Sequence, residues 1–418
     1  QKQVGRAARG PMDVGDSPEE TAFRATARSW LLAHGTSHGT RVDTGALSDH
    51  VRNALAWQRT LYEHGWAGIS WPKAFGGRGE PGVHSTIFNE EMAGVDETLG
   101  PLTVALGMVA PTLMRHGTPE QQTHLAAMLR GEQLWAQLFS EPGAGSDLAA
   151  LATRAERDGD EWVINGQKVW TSLGQFADYG ILLARTDVNA PKHEGITYFI
   201  VDMTAPGIEV RPLVQMTGHA HFNEVFLTDV RIPHASVVGE VNEGWKTART
   251  TLTSERASIA GGGAGWSVEE LIEAARIKGV ADHPIIRQEL AQAHIRAVTL
   301  KTLGYRVRTA MSAGSMPGPE ALVMKLAYAR HWTASTDTAM SILGAEGLLV
   351  DETGPDERDH GKRQSLRAVW PQVFLNQYAI RMGGGTDEVQ QNIIGELGLG
   401  LPREPSTDRG VPWKDLPK

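Results

Sequence analysis

The chain contains no cysteine. That absence excludes a disulfide framework, a thiol nucleophile and a zinc–thiolate centre. It also lacks any apolar run near the roughly 20 residues that a bilayer-crossing helix needs. Basic charge is not in excess: 40 Lys and Arg stand against 49 Asp and Glu, for a formal net charge of −9. This balance argues against the sequence-independent attraction to phosphate backbones on which nucleic-acid binding rests. The opening QKQVGRAARGP is basic and polar and has no apolar core of a secretory signal. Residues 1–11 read as an appended segment before a natural start at Met12. These absences point to a soluble, cytoplasmic protein with no nucleic-acid partner and no membrane span.

At 418 residues the chain can bury a large core and form two or three domains. Three textures follow one another, with no internal repeat. Residues 12–132 are mainly helical. Ser17-Pro18-Glu19-Glu20 and Thr118-Pro119-Glu120-Gln121 each combine an N-cap residue, a first-turn proline and an acidic or amide side chain. The loop from Ser70 to Gly79 interrupts them. Residues 133–240 change to short β-type runs, among them Ile196–Val201, Ile208–Pro212 and Asn223–Ile232. Turn residues between them suggest a compact, mostly antiparallel sheet or barrel. Helical periodicity returns over residues 241–400, broken near 314–318 and by the mixed-charge stretch 351–363, and residues 401–418 read as an extended tail.

The segment Leu134–Ser172 holds the densest chemistry. Ser140-Glu141-Pro142-Gly143-Ala144-Gly145-Ser146-Asp147 is a loop whose two glycines permit positive φ and close backbone approach. Successive amides in such a turn can cradle an anion. Asn165-Gly166 predicts a hairpin between Glu161–Ile164 and Gln167–Thr171, which would return Trp170 and Ser172 towards that loop. His219 and His221 have no third ligand at zinc or iron spacing, so no metal site is expected. Gly261-Gly262-Gly263 lacks the preceding strand and spacing of a dinucleotide loop and reads as a close-packing element.

Taken whole, the segment resembles the flavin-binding signature of the acyl-CoA dehydrogenase family, where T/S-E-P-x-A-G-S-D precedes a β-domain carrying N-G-x-K-x-W-I-T. The resemblance extends over most of the chain from Met12. It implies an α+β fold with an N-terminal helical domain, a middle β-barrel-like domain and a C-terminal four-helix bundle. It also implies FAD as cofactor, with Gln137, Phe139, Ser140, Ser146, Trp170, Thr171 and Ser172 at the flavin or substrate edge. Thr386 and Glu388 fall near the family's adenine and pyrophosphate end. Leu343 and Gly344 match a loop that contacts FAD of a neighbouring subunit, whereas the family's R-x-x-F-G motif is missing before His283-Pro284. Arg276 is the arginine that precedes that gap, and the candidate to replace the motif's basic residue.

Removing a proton α to a thioester carbonyl needs a positioned base. In most of the family it is the glutamate of Y-E-G-T, but here the stretch is Gly383-Gly384-Gly385-Thr386, and a glycine cannot serve. Trp245, Ala248, Leu252, Glu255 and Ile259 recur at helical spacing, placing Glu255 in an apolar stripe. Spacing alone leaves open a buried ion pair with Arg256 or another helix. Isovaleryl-CoA-type and long-chain-type dehydrogenases take the base from this helix, in a motif similar to Leu252-Thr253-Ser254-Glu255-Arg256. The resemblance therefore implies Glu255 as base, Gly384 and Arg256 as substrate-binding residues, and an acyl-CoA as substrate. It further implies electron-transferring flavoprotein as oxidant and a homodimer or homotetramer, with a homologous partner chain as a variant. An acyl-carrier-protein thioester, a flavin-dependent monooxygenase or oxidase, and a non-catalytic DNA-associated flavoprotein are the competing readings.

Overall fold

The structure is a computed structural model that describes residues 15–36, 46–92, 94–95, 98–261, 268–312, 318–349, 366–405 and 407–416. The 351–363 stretch and most of Gly261-Gly262-Gly263 lie outside the described residues, as do residues 1–11. Six helices come first: α1 (Pro18–His34), α2 (Leu47–Glu63), α3 (Gly82–Met92), α4 (Ala110–His116), α5 (Pro119–Gln122) and α6 (His124–Leu129). Both cap signatures form reciprocal boxes. Ser17 Oγ accepts from the Glu20 amide at 3.2 Å while the Glu20 carboxylate accepts from the Ser17 amide at 2.8 Å. Thr118 and Gln121 do the same at 3.3 and 3.1 Å. A cap of this kind contributes about 1 kcal/mol.

Seven strands follow: β1 (Trp135–Leu138), β2 (Arg154–Asp158), β3 (Glu161–Ser172), β4 (Tyr179–Arg185), β5 (Ile196–Asp202), β6 (Ile208–Leu213) and β7 (Phe222–Pro233). They pair in the order β1-β4-β2-β3-β7-β6, with β5 on the far side of β4. Most pairs are antiparallel; β4 runs parallel to β1 and β2. The sheet curls, and β4 and β5 are buried on both faces, which is why they read as unbroken apolar runs. Ile181, Leu183, Tyr198 and Ile200 face the N-terminal helices through Val109, Leu113 and Met128. Leu182, Phe199 and Val201 face Trp162, Val225 and Ile232 across the inside of the curl.

The expected hairpin at Asn165-Gly166 is not there. β3 runs straight through those residues, and the turn lies at Gly159-Asp160, where Asp158 pairs with Glu161 and Gly159 takes φ +61°. Gly166 instead answers a close approach: a Cβ there would stand 2.7 Å from the Thr153 Cα. Asn165 spends its side chain on β7, giving Nδ2 to Asp229 Oδ1 at 3.0 Å and taking the Asp229 amide at 2.9 Å. Two turn-forming dipeptides stand six residues apart, and the one flanked by complementary strands forms the turn.

Six further helices close the chain: α7 (Gly244–Gly261), α8 (Val268–Ile277), α9 (Pro284–Ser312), α10 (Pro319–Leu343), α11 (Leu366–Met382) and α12 (Asp387–Ile393). Leu271, Leu290, Ile342, Leu343 and Trp370 form the core of this helical part. The tail is not an extended arm. Residues 408–416 fold back onto the loop between β4 and β5, with the Trp413 amide donating to Ala190 O at 2.9 Å.

Candidate active site

Helix α7 sets the position of Glu255. One turn earlier, Thr251 Oγ1 lies 2.8 Å from Thr112 Oγ1 and 3.1 Å from the Tyr198 hydroxyl, all three side chains buried. His116 Nε2 meets Thr250 Oγ1 at 2.9 Å. These bonds fix α7 to α4 and β5, so the carboxylate at the next turn projects from an anchored helix.

Glu255 is packed by protein but keeps part of its surface open. Gln137 on β1 donates Nε2 to Glu255 Oε2 at 3.2 Å. The Gly384 amide faces the same carboxylate and favours its charged form. Burial pushes the Glu255 carboxyl above the usual carboxylate range, and these two donors, with Arg256 and Lys325 nearby, only partly oppose it. Among the described residues no ion pair engages Glu255, and the charges of Arg256 and Lys325 reach it only at longer range.

The Gly384 loop is rigidly held. Gly384 and Gly385 take φ +66° and +92°, a region open to glycine at little cost. Gln390 Nε2 donates to Gly384 O at 2.8 Å, and buried Lys325 on α10 donates to Gly385 O at 2.6 Å. Thr386 caps α12 by accepting from the Val389 amide at 3.3 Å.

A second constellation lies on the sheet. The Val169 amide donates to Ser140 O at 2.9 Å, so β3 itself, not a hairpin, carries Trp170 and Ser172 to the Gly-rich loop. Lys168, fully buried, donates Nζ to Glu141 Oε1 at 2.8 Å and to Phe139 O at 3.0 Å. Glu141 also accepts from the amides of Ala152 (2.6 Å) and Thr153 (2.9 Å). Burial pushes the Glu141 carboxyl up, but the Lys168 ammonium and these donors outweigh it and hold it below the usual range.

Three observations describe what this face leaves open. First, neither Gly143 nor Gly145 has the positive φ that the sequence suggested, and a Cβ at either would meet no protein atom within 4 Å. The chain's own packing thus places no demand for glycine there, and the space beside both residues is open. Second, the amides of Gly145 and Ser146 find no acceptor among the described residues. Third, Trp170 is a tryptophan at φ +61°, 56% exposed, held edge-on by Phe222. An exposed aromatic in a strained backbone is the pattern of a ligand-facing residue. Next to it opens a cavity of about 260 Å3 lined by Ser172, Leu173, Phe222, Asn376 and Ala379.

The acyl-CoA dehydrogenase N-terminal, middle and C-terminal domain families match residues 17–132, 136–230 and 242–399 respectively. The chain belongs to the acyl-CoA dehydrogenase family. It is 37% identical over 396 residues to the acyl-CoA dehydrogenase IpdE1 of Mycobacterium tuberculosis, covering 91% of this chain and 98% of that one. Acyl-CoA dehydrogenase FadE34 of the same organism is 40% identical over 349 residues, covering 83% of this chain and 46% of that protein. Among solved structures, the Tcur3481-Tcur3483 steroid ACAD superposes with a TM-score of 0.79 at 31% identity, covering 94% of this chain and 100% of that one. The ChsE4–ChsE5 complex of Mycobacterium tuberculosis gives 0.76 at 32% identity, with 94% and 100% covered.

As an acyl-CoA dehydrogenase the chain is an oxidoreductase of a flavoprotein family whose substrates are acyl-CoA thioesters. No helix among its described residues is long and apolar enough to cross a membrane. Of the residues singled out from the sequence, Ser140 lies against β3 beside Trp170, Ser172 lines the cavity, and Gln137 and Gly384 gather at Glu255. Three others do not present their side chains. Phe139 packs against Tyr198 in the core at 5.8 Å between ring centres. Thr171 is buried, with its carbonyl taken by Asn223 Nδ2 at 3.0 Å. Leu343 belongs to the core between α8 and α10. A register shift between Lys168 and Thr171 turns Trp170 outwards and Thr171 inwards, which strand alternation alone does not foretell.

Arg256 donates to Thr253 Oγ1 at 3.2 Å, and Glu388 lies exposed in the first turn of α12 beside Thr386. Gly344 ends α10 at φ +57°, and Arg276 is exposed beside Glu273 at 3.6 Å. Lys168, Glu141 and Lys325 were missed by sequence reasoning. A lysine inside strand β3, two residues before Trp170, was the one available signal, since a buried lysine needs a partner.

Proposed function

We propose that this acyl-CoA dehydrogenase oxidises an acyl-CoA to its trans-2-enoyl thioester, with Glu255 removing the α-proton. FAD, held along the Gly-rich loop and Trp170–Ser172, supplies the hydride acceptor when bound. The observation that carries this reading is the Glu255 carboxylate itself: packed on an anchored helix, without an ion pair among the described residues, raised above the usual range and faced by the Gly384 amide. A base with a raised pKa accepts a proton more readily at the moment of transfer. The Gly384 N–H is the natural donor for a thioester carbonyl oxygen as enolate charge develops on it. Gln137 keeps the carboxylate oriented. Ser172 offers a hydroxyl at the flavin edge, and Ser140 and Ser146 offer donors along the loop.

A second opening favours CoA over a carrier-protein thioester. At the start of α7 a groove of about 530 Å3 is lined by His193, Trp245, Lys246 and Arg249. Trp245 stands edge-on to His193 at 4.9 Å and offers a face to a purine, and Lys246 and Arg249 offer charge to phosphates. From Lys246 to Glu255 the helix rises about 14 Å, near the reach of a pantetheine arm. A carboxylate base at Glu255 also favours dehydrogenation over flavin-dependent hydroxylation, a reaction that removes no α-proton.

Assembly follows from the exposed apolar side chains. Ile285, Ile295 and Val298 on α9 and Leu397, Leu399 and Leu401 beyond α12 stand more than a third exposed. They suit a dimer or tetramer, or pairing with a homologous chain as in the structure titled the ChsE4–ChsE5 complex. Electron-transferring flavoprotein is the proposed oxidant. Steady-state turnover of Glu255→Gln tests the assignment: a fall of about 10³-fold with flavin retained is expected, and turnover near wild type removes Glu255 from the role.

A further inference from the structure

The matched family domains end at residue 399, yet the chain beyond them is bound into the molecule beside both proposed ligand sites. Residues 412–414 run along the loop between β4 and β5. Pro412 bridges Pro191, the Trp413 amide donates to Ala190 O at 2.9 Å, and the Lys414 amide donates to Val188 O at 3.0 Å. Lys414 Nζ adds a bond to Asn189 Oδ1 at 2.9 Å.

The Trp413 side chain does more than fill space. Its Nε1 donates to Ala150 O at 3.2 Å, and its ring lies 5.0 Å from the guanidinium carbon of Arg185. Arg185 is buried, and burial lowers its pKa to about 10. It donates to Ala149 O (2.6 Å), Leu151 O (3.3 Å) and Lys192 O (2.8 Å). Trp413 and Arg185 together therefore satisfy three successive carbonyls of the turn that ends the Gly-rich loop. Lys192 ties the same parts by charge, lying 2.8 Å from Asp147 and 2.5 Å from Asp408. Asp147 directly follows Ser146, and Lys192 directly precedes His193 and Glu194, which line the groove beside Trp245.

We infer that residues 408–414 form a clamp that holds the Gly-rich loop and the groove wall in their ligand-binding conformation, with Trp413 as its positioning residue. The inference rests on the reading of those two sites given above. The clamp touches neither Glu255 nor the Gly384 loop, so it acts on binding and leaves the proton-transfer step alone. Covering Arg185 also keeps water from its guanidinium, strengthening each of its bonds to the turn.

The test compares wild type, W413A, W413F and D408N, all as flavin-loaded protein. Hydrogen exchange is read over residues 145–151 and 187–194 without substrate. KM and kcat are then measured with butyryl-CoA and with the butyryl-pantetheine thioester, or with whichever acyl chain turns over best. In W413A, exchange in both segments should rise at least tenfold and KM for the CoA thioester about tenfold. Its kcat and the acid limb of its pH profile should stay put. W413F keeps the ring over Arg185 and should recover most of both effects; D408N should shift them the same way but less. Unchanged exchange in W413A and D408N overturns the clamp, as does a loss confined to kcat. Should W413A fail to fold, D408N and W413F alone decide. If wild type turns over no acyl-CoA, the functional reading fails while the exchange result still judges the clamp.

Discussion

Replacing Lys168 with methionine removes the cation from a site the protein cannot rearrange cheaply. Lys168 is fully buried, Glu141 nearly so, and their contact is 2.8 Å. After the change Glu141 keeps the two amide donors of Ala152 and Thr153 but loses its counter-charge, and Phe139 O loses its donor. Stranding one member of a buried pair costs about 3–5 kcal/mol. The deficit should depend on pH in a set direction. In wild type the Glu141 pKa lies below its unfolded value, so its contribution is present above the ordinary carboxylate range and is lost as pH falls through the folded value. In the variant, burial is unopposed by Lys168 and the carboxyl becomes costly to ionise. The difference between the two proteins should therefore be largest near neutrality and narrow towards acid. Matched urea titrations at several pH values, with Lys168→Met, Glu141→Gln and the double variant, measure this. The double variant should lose less than the two singles combined, by about 1–3 kcal/mol. A single loss under about 1 kcal/mol, or strict additivity, would refute the reasoning.

Gln137→Leu removes a donor that favours the charged form of Glu255. The acid limb of its pH–rate profile should move to higher pH, and a limb that stays or moves down contradicts the contact. Gly384→Ala places a side chain at φ +66° and displaces the amide. Removing a donor of that kind lowers kcat about 10²–10³-fold, and kinetics near wild type would exclude Gly384 N–H from the carbonyl site. Lys246→Gln with Arg249→Gln should raise KM for an acyl-CoA about tenfold per lost phosphate contact (about 1.4 kcal/mol). The matching pantetheine thioester should be unaffected, and equal effects on both substrates would remove the groove from CoA recognition.

The parts of the fold that local chemistry decides could be read from the chain. Both expected N-caps, Ser17 and Thr118, form, and each closes a reciprocal box, because a cap needs only its own first turn. The three textures also appear in order, since periodicity follows which face is buried. Glu255 stood out as the candidate base for a different reason: a glutamate in an apolar stripe coincided with a glycine at the family's usual base position. The errors share one cause. Asn165-Gly166 has strong turn chemistry, but pairing of β3 with β7 across 12 residues of strand outweighs it. Which way Phe139 and Thr171 point depends on a register shift that no alternation rule supplies. Lys168, Arg185 and Trp413 act through partners 27, 36 and 263 residues away in sequence, and such contacts leave no local trace.

The most direct test of the central claim is anaerobic bleaching of the bound flavin by acyl-CoAs of varied length, branching and ring content, in wild type and Glu255→Gln. The account predicts rapid bleaching of wild type by at least one acyl-CoA with formation of its trans-2-enoyl product, and bleaching of the variant slowed about 10³-fold with the flavin still bound. Equal rates in the two proteins would contradict it.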